Sequence, residues 1–204
     1  MKIESLGAGA RLFAGWTYRF ADPSFPEPVP VKITGVVAPT AQAQKVTNCC
    51  ASVFAILNHA LRLEGRVVPW DLDLFQLAML SHGSFDPFGP VTAYVAAGIA
   101  VPLPPGTRPL PLGLEGPKQA MAPMIVQGWR ERADQVSDSP TLRRLGYRKG
   151  HTFMVVDYDP ATDRITTLEA NDAFGLNGVG ARQGEWTWRK LLCTYPHMRQ
   201  AALV

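Results

Sequence analysis

The stretch His151 to Asn171, HTFMVVDYDPATDRITTLEAN, decides the fold. Two runs rich in β-branched and aromatic residues, His151 to Tyr158 and Arg164 to Ala170, flank the segment Asp159-Pro160-Ala161-Thr162-Asp163. Asp-Pro is ordinary turn chemistry, and the two runs read as strands of an antiparallel hairpin. With Tyr158 paired to Arg164 across the five-residue turn, cross-strand partners sum to one index. His151 then falls opposite Asn171, and Phe153 opposite Glu169. Side chains alternate faces along a strand, so His151, Glu169 and Asn171 share one face of the sheet. An imidazole beside a carboxylate or an amide is the arrangement of a base with its orienting partner. A one-residue bulge would spoil this pairing.

Upstream the period is helical. From Cys50, residues Val53, Phe54, Leu57 and Leu61 form one apolar stripe, and Gly65 closes the helix in the C′ manner. A second helix is expected from Trp70 to Ser81, and a third, shorter one after Pro90, carrying Val91, Tyr94 and Val95. Met124-Ile125-Val126 reads as a buried strand leading into Gln127-Gly128-Trp129, and the polar, basic Arg130 to Lys149 as a loop or short helix. GLNGVGAR (175–182) suggests a turn and another strand, and LLCTYPHMRQAALV (191–204) one more. Helices come first and an antiparallel sheet second, an α+β order.

Proline is unusually frequent, 18 in 204 residues. It clusters at Pro23, Pro26, Pro28 and Pro30, and seven times from Pro102 to Pro123. The segments 22–40 and 101–123 therefore read as extended wrapping around a core of about 47–182, within a single domain spanning 1–204.

A hydrophobic share of 47% against 18% charged residues is enough to bury a core and excludes a disordered tail, a coiled coil or a collagen-like chain. A net charge of +3 is too small to imply nucleic-acid or membrane binding. No apolar run approaches the roughly 18 to 20 residues of a membrane span. Glu4 and Arg11 interrupt any signal-like stretch, so the expected site of synthesis and first residence is the cytoplasm. There is no Walker-type loop, no Gly-x-Ser-x-Gly elbow and no dinucleotide fingerprint at Gly7-Ala8-Gly9, which argues against kinase, serine-hydrolase and dehydrogenase chemistry.

The three cysteines, Cys49, Cys50 and Cys193, make neither a disulfide framework nor a zinc or redox C-x-x-C pair; no metal and no cofactor is expected. A cysteine at a helix start is another matter, because the helix dipole and a nearby imidazole both favour the thiolate. Thr47 and Asn48 supply N-cap candidates there.

Three blocks together resemble the papain-like NlpC/CHAP group of cysteine peptidases and amidases: Thr47-Asn48-Cys49-Cys50-Ala51-Ser52-Val53-Phe54, Gly150-His151-Thr152-Phe153-Met154-Val155-Val156, and Leu168-Glu169-Ala170-Asn171. The CHAP pattern carries Glu-x-Asn on the strand after the histidine, matched here by Glu169-Ala170-Asn171. The resemblance implies a papain-like fold, with N-terminal helices packed on a C-terminal antiparallel sheet. It also implies acyl transfer. His151 takes the thiol proton, Glu169 or Asn171 holds the imidazole, and amides at the helix start, with Asn48 or Gln127, stabilise the oxyanion. The family has one cysteine, after Asp or Asn and before a small residue. Asn48-Cys49 fits the first half of that rule and Cys50-Ala51-Ser52-Val53 the second. The helical stripe favours Cys50 as nucleophile, because Val53 and Phe54 then occupy core positions, and Cys49 stays as the alternative. The implied substrate is a peptide or amide, with cell-wall peptide first, reached after lysis or by a specialised secretion route. A papain-like binding module without catalysis and a thioester-exchanging transferase are the competing readings.

Other conspicuous residues are read as structural. His59 and His82 are helix residues, Cys193 a small core residue, and the basic run Arg143 to Lys149 a solvated face. Trp186 and Trp188 alternate across a strand, and His197 carries no assignment.

Overall fold

A computed structural model describes residues 1–18, 25–27, 45–67, 70, 89–109, 123–129, 150–170 and 179–204. In chain order its elements are α1 (Ile3–Arg11), β1 (Thr17–Tyr18), β2 (Val46–Thr47), α2 (Cys49–Leu63), α3 (Pro90–Ala96), β3 (Ala100–Leu103), β4 (Met124–Trp129), β5 (Gly150–Asp159), β6 (Arg164–Ala170), β7 (Val179–Thr187), α4 (Trp188–Thr194) and β8 (His197–Leu203).

The apolar stripe after Cys49 becomes α2, and both of its ends follow from side-chain chemistry. At the start, Asn48 lies in extended backbone and its Oδ1 accepts from Ala51 N at 2.9 Å, satisfying one of the helix's unpaired donors. At the end, Gly65 takes φ 65, so that Arg66 N reaches Leu61 O and Gly65 N reaches Arg62 O. These are the two bonds of a Schellman cap, and a left-handed residue there favours glycine. Every residue from Cys49 to Asn58 is buried, so the first ten residues of α2 are covered on all sides. α1 closes over one side at short range: a Cβ on Gly9 would lie 2.8 Å from Ile56 O.

The main sheet has six strands in the order β3-β8-β4-β5-β6-β7, with every pair antiparallel. Alternation along the strands builds two cores. One face contributes Ile125, Met154, Val156, Leu168, Ala201 and Leu203, which cluster with residues of α1, α2 and α3. The other contributes Met124, Val126, Phe153, Val155, Tyr158 and Ile165, which cluster with Trp188, Leu191 and Tyr195 of the α4 region. This mixed architecture of helices and an antiparallel sheet is compatible with the α+β expectation.

The hairpin turn sits one residue away from its expected register. Asp159, not Tyr158, pairs with Arg164. A bulge between Val155 and Asp157 then absorbs one residue of β5, so that Val155 pairs with Thr167 and Met154 with Leu168. Beyond the bulge the index sum returns to the value expected from the sequence, 155 and 167 giving 322 as do 158 and 164. The burial pattern shows the same displacement. Val155 and Tyr158, three positions apart, enter one core cluster, which strict alternation forbids.

Further departures from expectation have local causes. The N-terminal residues form α1, whose Leu6 and Gly9 are buried. Trp188 does not continue a strand; it opens α4, where Thr187 caps the helix by accepting from Lys190 N. Cys193 is exposed, because on α4 the buried stripe runs through Trp188 and Leu191. The proline-rich segment 101–123 begins as β3, paired on one side to β8; proline at Pro102 suits such an edge. Of the segment 22–40, residues 25–27 are described: Phe25 packs edge-on to Phe54 at 5.9 Å, and Glu27 meets His59 Nδ1 at 2.8 Å. Of the helix expected from Trp70 to Ser81 only Trp70 is described; its remainder, His82 and the stretch 130–149 lie outside the described residues. Among the described residues, no helix is long and apolar enough to cross a membrane.

Candidate active site

The first turn of α2 meets the first residues of β5. Cys49 lies beside His151, whose hydrogen bonding and charge both act on its thiol, and Cys50 Sγ lies 3.4 Å from Thr152 Oγ1. His151 Nε2 lies 2.5 Å from Glu169 Oε2, which leaves Nδ1 as the ring nitrogen for the thiol. Glu169 is in turn oriented by Thr167, whose hydroxyl donates to Oε1 at 2.7 Å. The result is a linear chain, Cys49–His151–Glu169–Thr167, carried by a helix start and two adjacent strands. All four residues are buried.

The thiol beside the imidazole is thus Cys49 and not Cys50, which the helical stripe had favoured. Both side chains lie in the core, so apolar periodicity could not separate them. Cys50 instead faces Thr152 and neighbours Tyr94, whose hydroxyl is pushed well up by burial and by that thiol.

The electrostatics favour an ion pair. For Cys49, a hydrogen bond with Cys50 is the largest influence; burial opposes it, and the hydrogen bond and charge of His151 and the Thr152 backbone N–H reinforce it. The thiol is held well below its ordinary range. For His151, burial works against the charged ring, but hydrogen bonds to Cys49 and Glu169 and the charges of both outweigh it. The imidazole is held well above its ordinary value. A thiolate and an imidazolium side by side form the reactive state of a cysteine nucleophile.

This pair also shapes stability against pH. Unfolded His titrates near 6.5 and Cys near 8.5. His151 is raised, so its share is full below about 6.5 and fades as pH climbs through the folded value. Cys49 is lowered, so its share is full above about 8.5 and fades as pH falls through the folded value. Between about 6.5 and 8.5 the folded and unfolded chains each hold one proton on the pair, and its contribution is flat. Outside that window it declines on both sides, with a limiting slope of about 1.4 kcal/mol per pH unit. Urea unfolding of the wild type minus that of Cys49→Ser/His151→Gln should trace this plateau. A difference that drifts steadily between pH 7 and 8 would exclude the ion pair.

Aromatic rings wall the histidine. Phe153 stacks at 5.3 Å between centroids and Tyr195 at 6.1 Å. Tyr195 lies that close to the sheet because Gly128, the cross-strand partner of His151, has no side chain: a Cβ there would stand 2.7 Å from Tyr195 Cβ and Cγ.

The other expected site residues divide. Asn48 spends its Oδ1 on the helix cap. Gln127 is buried on β4 opposite Thr152; its Oε1 receives Val91 N at 3.4 Å and its amide lies against Gly89 at the start of α3. Asn171 lies outside the described residues. Thr167, Thr152 and Tyr195 were not singled out by the sequence reading. Thr167 had a usable signal, since it stands two residues before Glu169 and so shares its face. Among the described residues, no group of three or more His, Cys, Asp or Glu is placed to hold a metal ion. No protein-family model matches the chain, and neither a curated protein nor a solved structure shows significant similarity to it.

Proposed function

We propose that this chain is a cysteine-dependent hydrolase of amide or peptide bonds with a papain-like site, in which Cys49 is the nucleophile, His151 the base and Glu169 its orienting partner. The observation that carries the proposal is the buried His151–Glu169 pair, with Nε2 2.5 Å from Oε2, set beside the Cys49 thiol that it acts on. The Cys49 thiolate attacks the substrate carbonyl and forms a carbon–sulfur bond as the carbonyl π electrons move to oxygen. Backbone N–H groups of the first turn of α2 have no intrahelical acceptor and suit that oxyanion. Collapse of the intermediate expels the amine, which takes its proton from His151. Neutral His151 then removes a proton from water, which releases the acyl group as acid and regenerates the thiolate. Bacterial cell-wall peptide is the first substrate class to assay, on the resemblance set out above.

The competing reading, a papain-like binding module, is favoured by one observation: Cys49 is only 3% exposed. Iodoacetamide labelling between pH 4 and 9, resolved by residue with mass spectrometry, separates the two. Cys193 is exposed and serves as the internal reference. Expected is alkylation of Cys49 at pH 6 outpacing Cys193, with loss of about 100-fold in His151→Ala, the equivalent of about two units of thiol pKa. If Cys49 reacts no faster than Cys193, both natively and in mild denaturant, the hydrolase proposal fails.

A further inference from the structure

The second thiol has no role in the acyl-transfer scheme, yet it lies between two partners. Cys50 Sγ is 3.8 Å from Cys49 Sγ and 3.4 Å from Thr152 Oγ1, and it is fully buried. A thiol has one hydrogen to donate, so it serves one of these acceptors at a time. We infer that Cys50 is a positioning residue whose S–H donates to the Cys49 sulfur while that sulfur is a thiolate and turns to the Thr152 hydroxyl once Cys49 is acylated. This rests on Cys49 being the nucleophile.

The acceptors differ in a way that drives the exchange. A thiolate is charged and accepts hydrogen bonds strongly, whereas a thioester sulfur carries no charge and accepts weakly. Thr152 Oγ1 lies between those extremes and is already within reach. The S–H therefore prefers Cys49 in the free enzyme and Thr152 in the acyl-enzyme, with rotation about one side-chain bond and no change of backbone. The influence of Cys50 on the Cys49 acidity runs in the same direction.

Stabilising a thiolate also makes it a poorer nucleophile, and the balance has a definite sign. Each unit of lowered pKa raises the thiolate fraction about tenfold below the pKa, while nucleophilicity falls only about threefold, since it follows pKa with a slope near 0.4–0.5. Below the thiol's pKa the donor is a net gain, and above it a net loss. A packing role for Cys50 would have no such reversal with pH.

The test is the pH profile of Cys49 alkylation in full-length Cys50→Ala and Cys50→Ser, beside wild type and His151→Ala. In Cys50→Ala the midpoint should rise by about one pH unit, equivalent to about a tenfold smaller thiolate fraction at any pH below both midpoints. Cys50→Ser keeps a donor of similar size and should hold the midpoint at or below the wild-type value. Equal midpoints for wild type and Cys50→Ala, or a rise in both variants alike, would overturn the inference. If the midpoint also ignores His151→Ala, the hydrolase proposal fails with it; if it responds to His151→Ala alone, only the role of Cys50 is refuted. The serine variant is close to isosteric, which keeps the test decisive should the alanine variant fold poorly.

Discussion

Glu169→Leu should lower the unfolding free energy by about 3–5 kcal/mol and slow Cys49 alkylation at pH 6 by about two orders of magnitude. Glu169 is 1% exposed and its two oxygens are both engaged, one by His151 Nε2 and the other by Thr167. Removing the carboxylate leaves a buried imidazolium with one partner and a buried threonine hydroxyl with none in its place. Truncating one side of a buried charge pair is costly because the remaining charge is left uncompensated. The ring responds by releasing its proton, and Cys49 then loses the neighbouring charge that favours its thiolate. Glu169→Gln separates shape from charge: its carbonyl and amide replace both hydrogen bonds, so most of the stability should return while alkylation at pH 6 stays slow. Urea unfolding at unchanged m and residue-resolved labelling check the two halves independently. Wild-type labelling in Glu169→Gln would mean that charge on residue 169 does not support the thiolate.

Gly128→Val should cost about 3 kcal/mol, near the upper end for overpacking, and Gly128→Ala about 1–2 kcal/mol. The added Cβ would stand 2.7 Å from Tyr195 Cβ and Cγ, and at 3.0 Å from Cδ1. These atoms belong to a buried ring rooted at the end of α4, so the neighbour cannot swing away as the tip of a flexible chain can. Stiffening a glycine in a strand gains only about 0.5–1 kcal/mol, less than the clash costs. Tyr195 also stacks on His151 and lies tilted against Phe153, so its displacement should be visible in near-ultraviolet circular dichroism and should slow Cys49 labelling. Two substitutions that are both neutral in urea unfolding would show that the ring is free to move.

Much of this arrangement was legible before any coordinates. β6 falls on Arg164–Ala170 as read, α2 ends at the glycine that marked its close, and His151 and Glu169 meet as cross-strand counting suggested. The hairpin count reached the right neighbours through a compensation: the turn pairs one residue later than assumed and the bulge removes that residue again. Nothing local in Met154-Val155-Val156-Asp157 announces a bulge, because each of these residues suits a regular strand. The choice between Cys49 and Cys50 was illegible for a different reason. Periodicity reports which side chains are apolar, and a helix whose first ten residues are buried on all sides gives both cysteines the same signature. Short elements such as α1 and α4 escaped because their burial is conferred by neighbours far away in the chain, α1 by α2 and α4 by the far face of the sheet.

The bulge at Val156 gives the hairpin a parity. On one side lies the solvent turn, Asp159 to Asp163, and on the other the residues that orient the imidazole. Forcing Val156 into the ladder would pair it with Thr167 and carry everything from His151 to Val155 onto the opposite face, parting the ring from Glu169. Deleting Val156 would instead join Val155 to Asp157, with Val155 still opposite Thr167 and His151 still on the face of Glu169. Lengthening the loop past Asp159 changes nothing in that count. The turn is therefore open to insertion, and the strand interior is open to loss of its single extra residue but not to a slip that brings that residue into register.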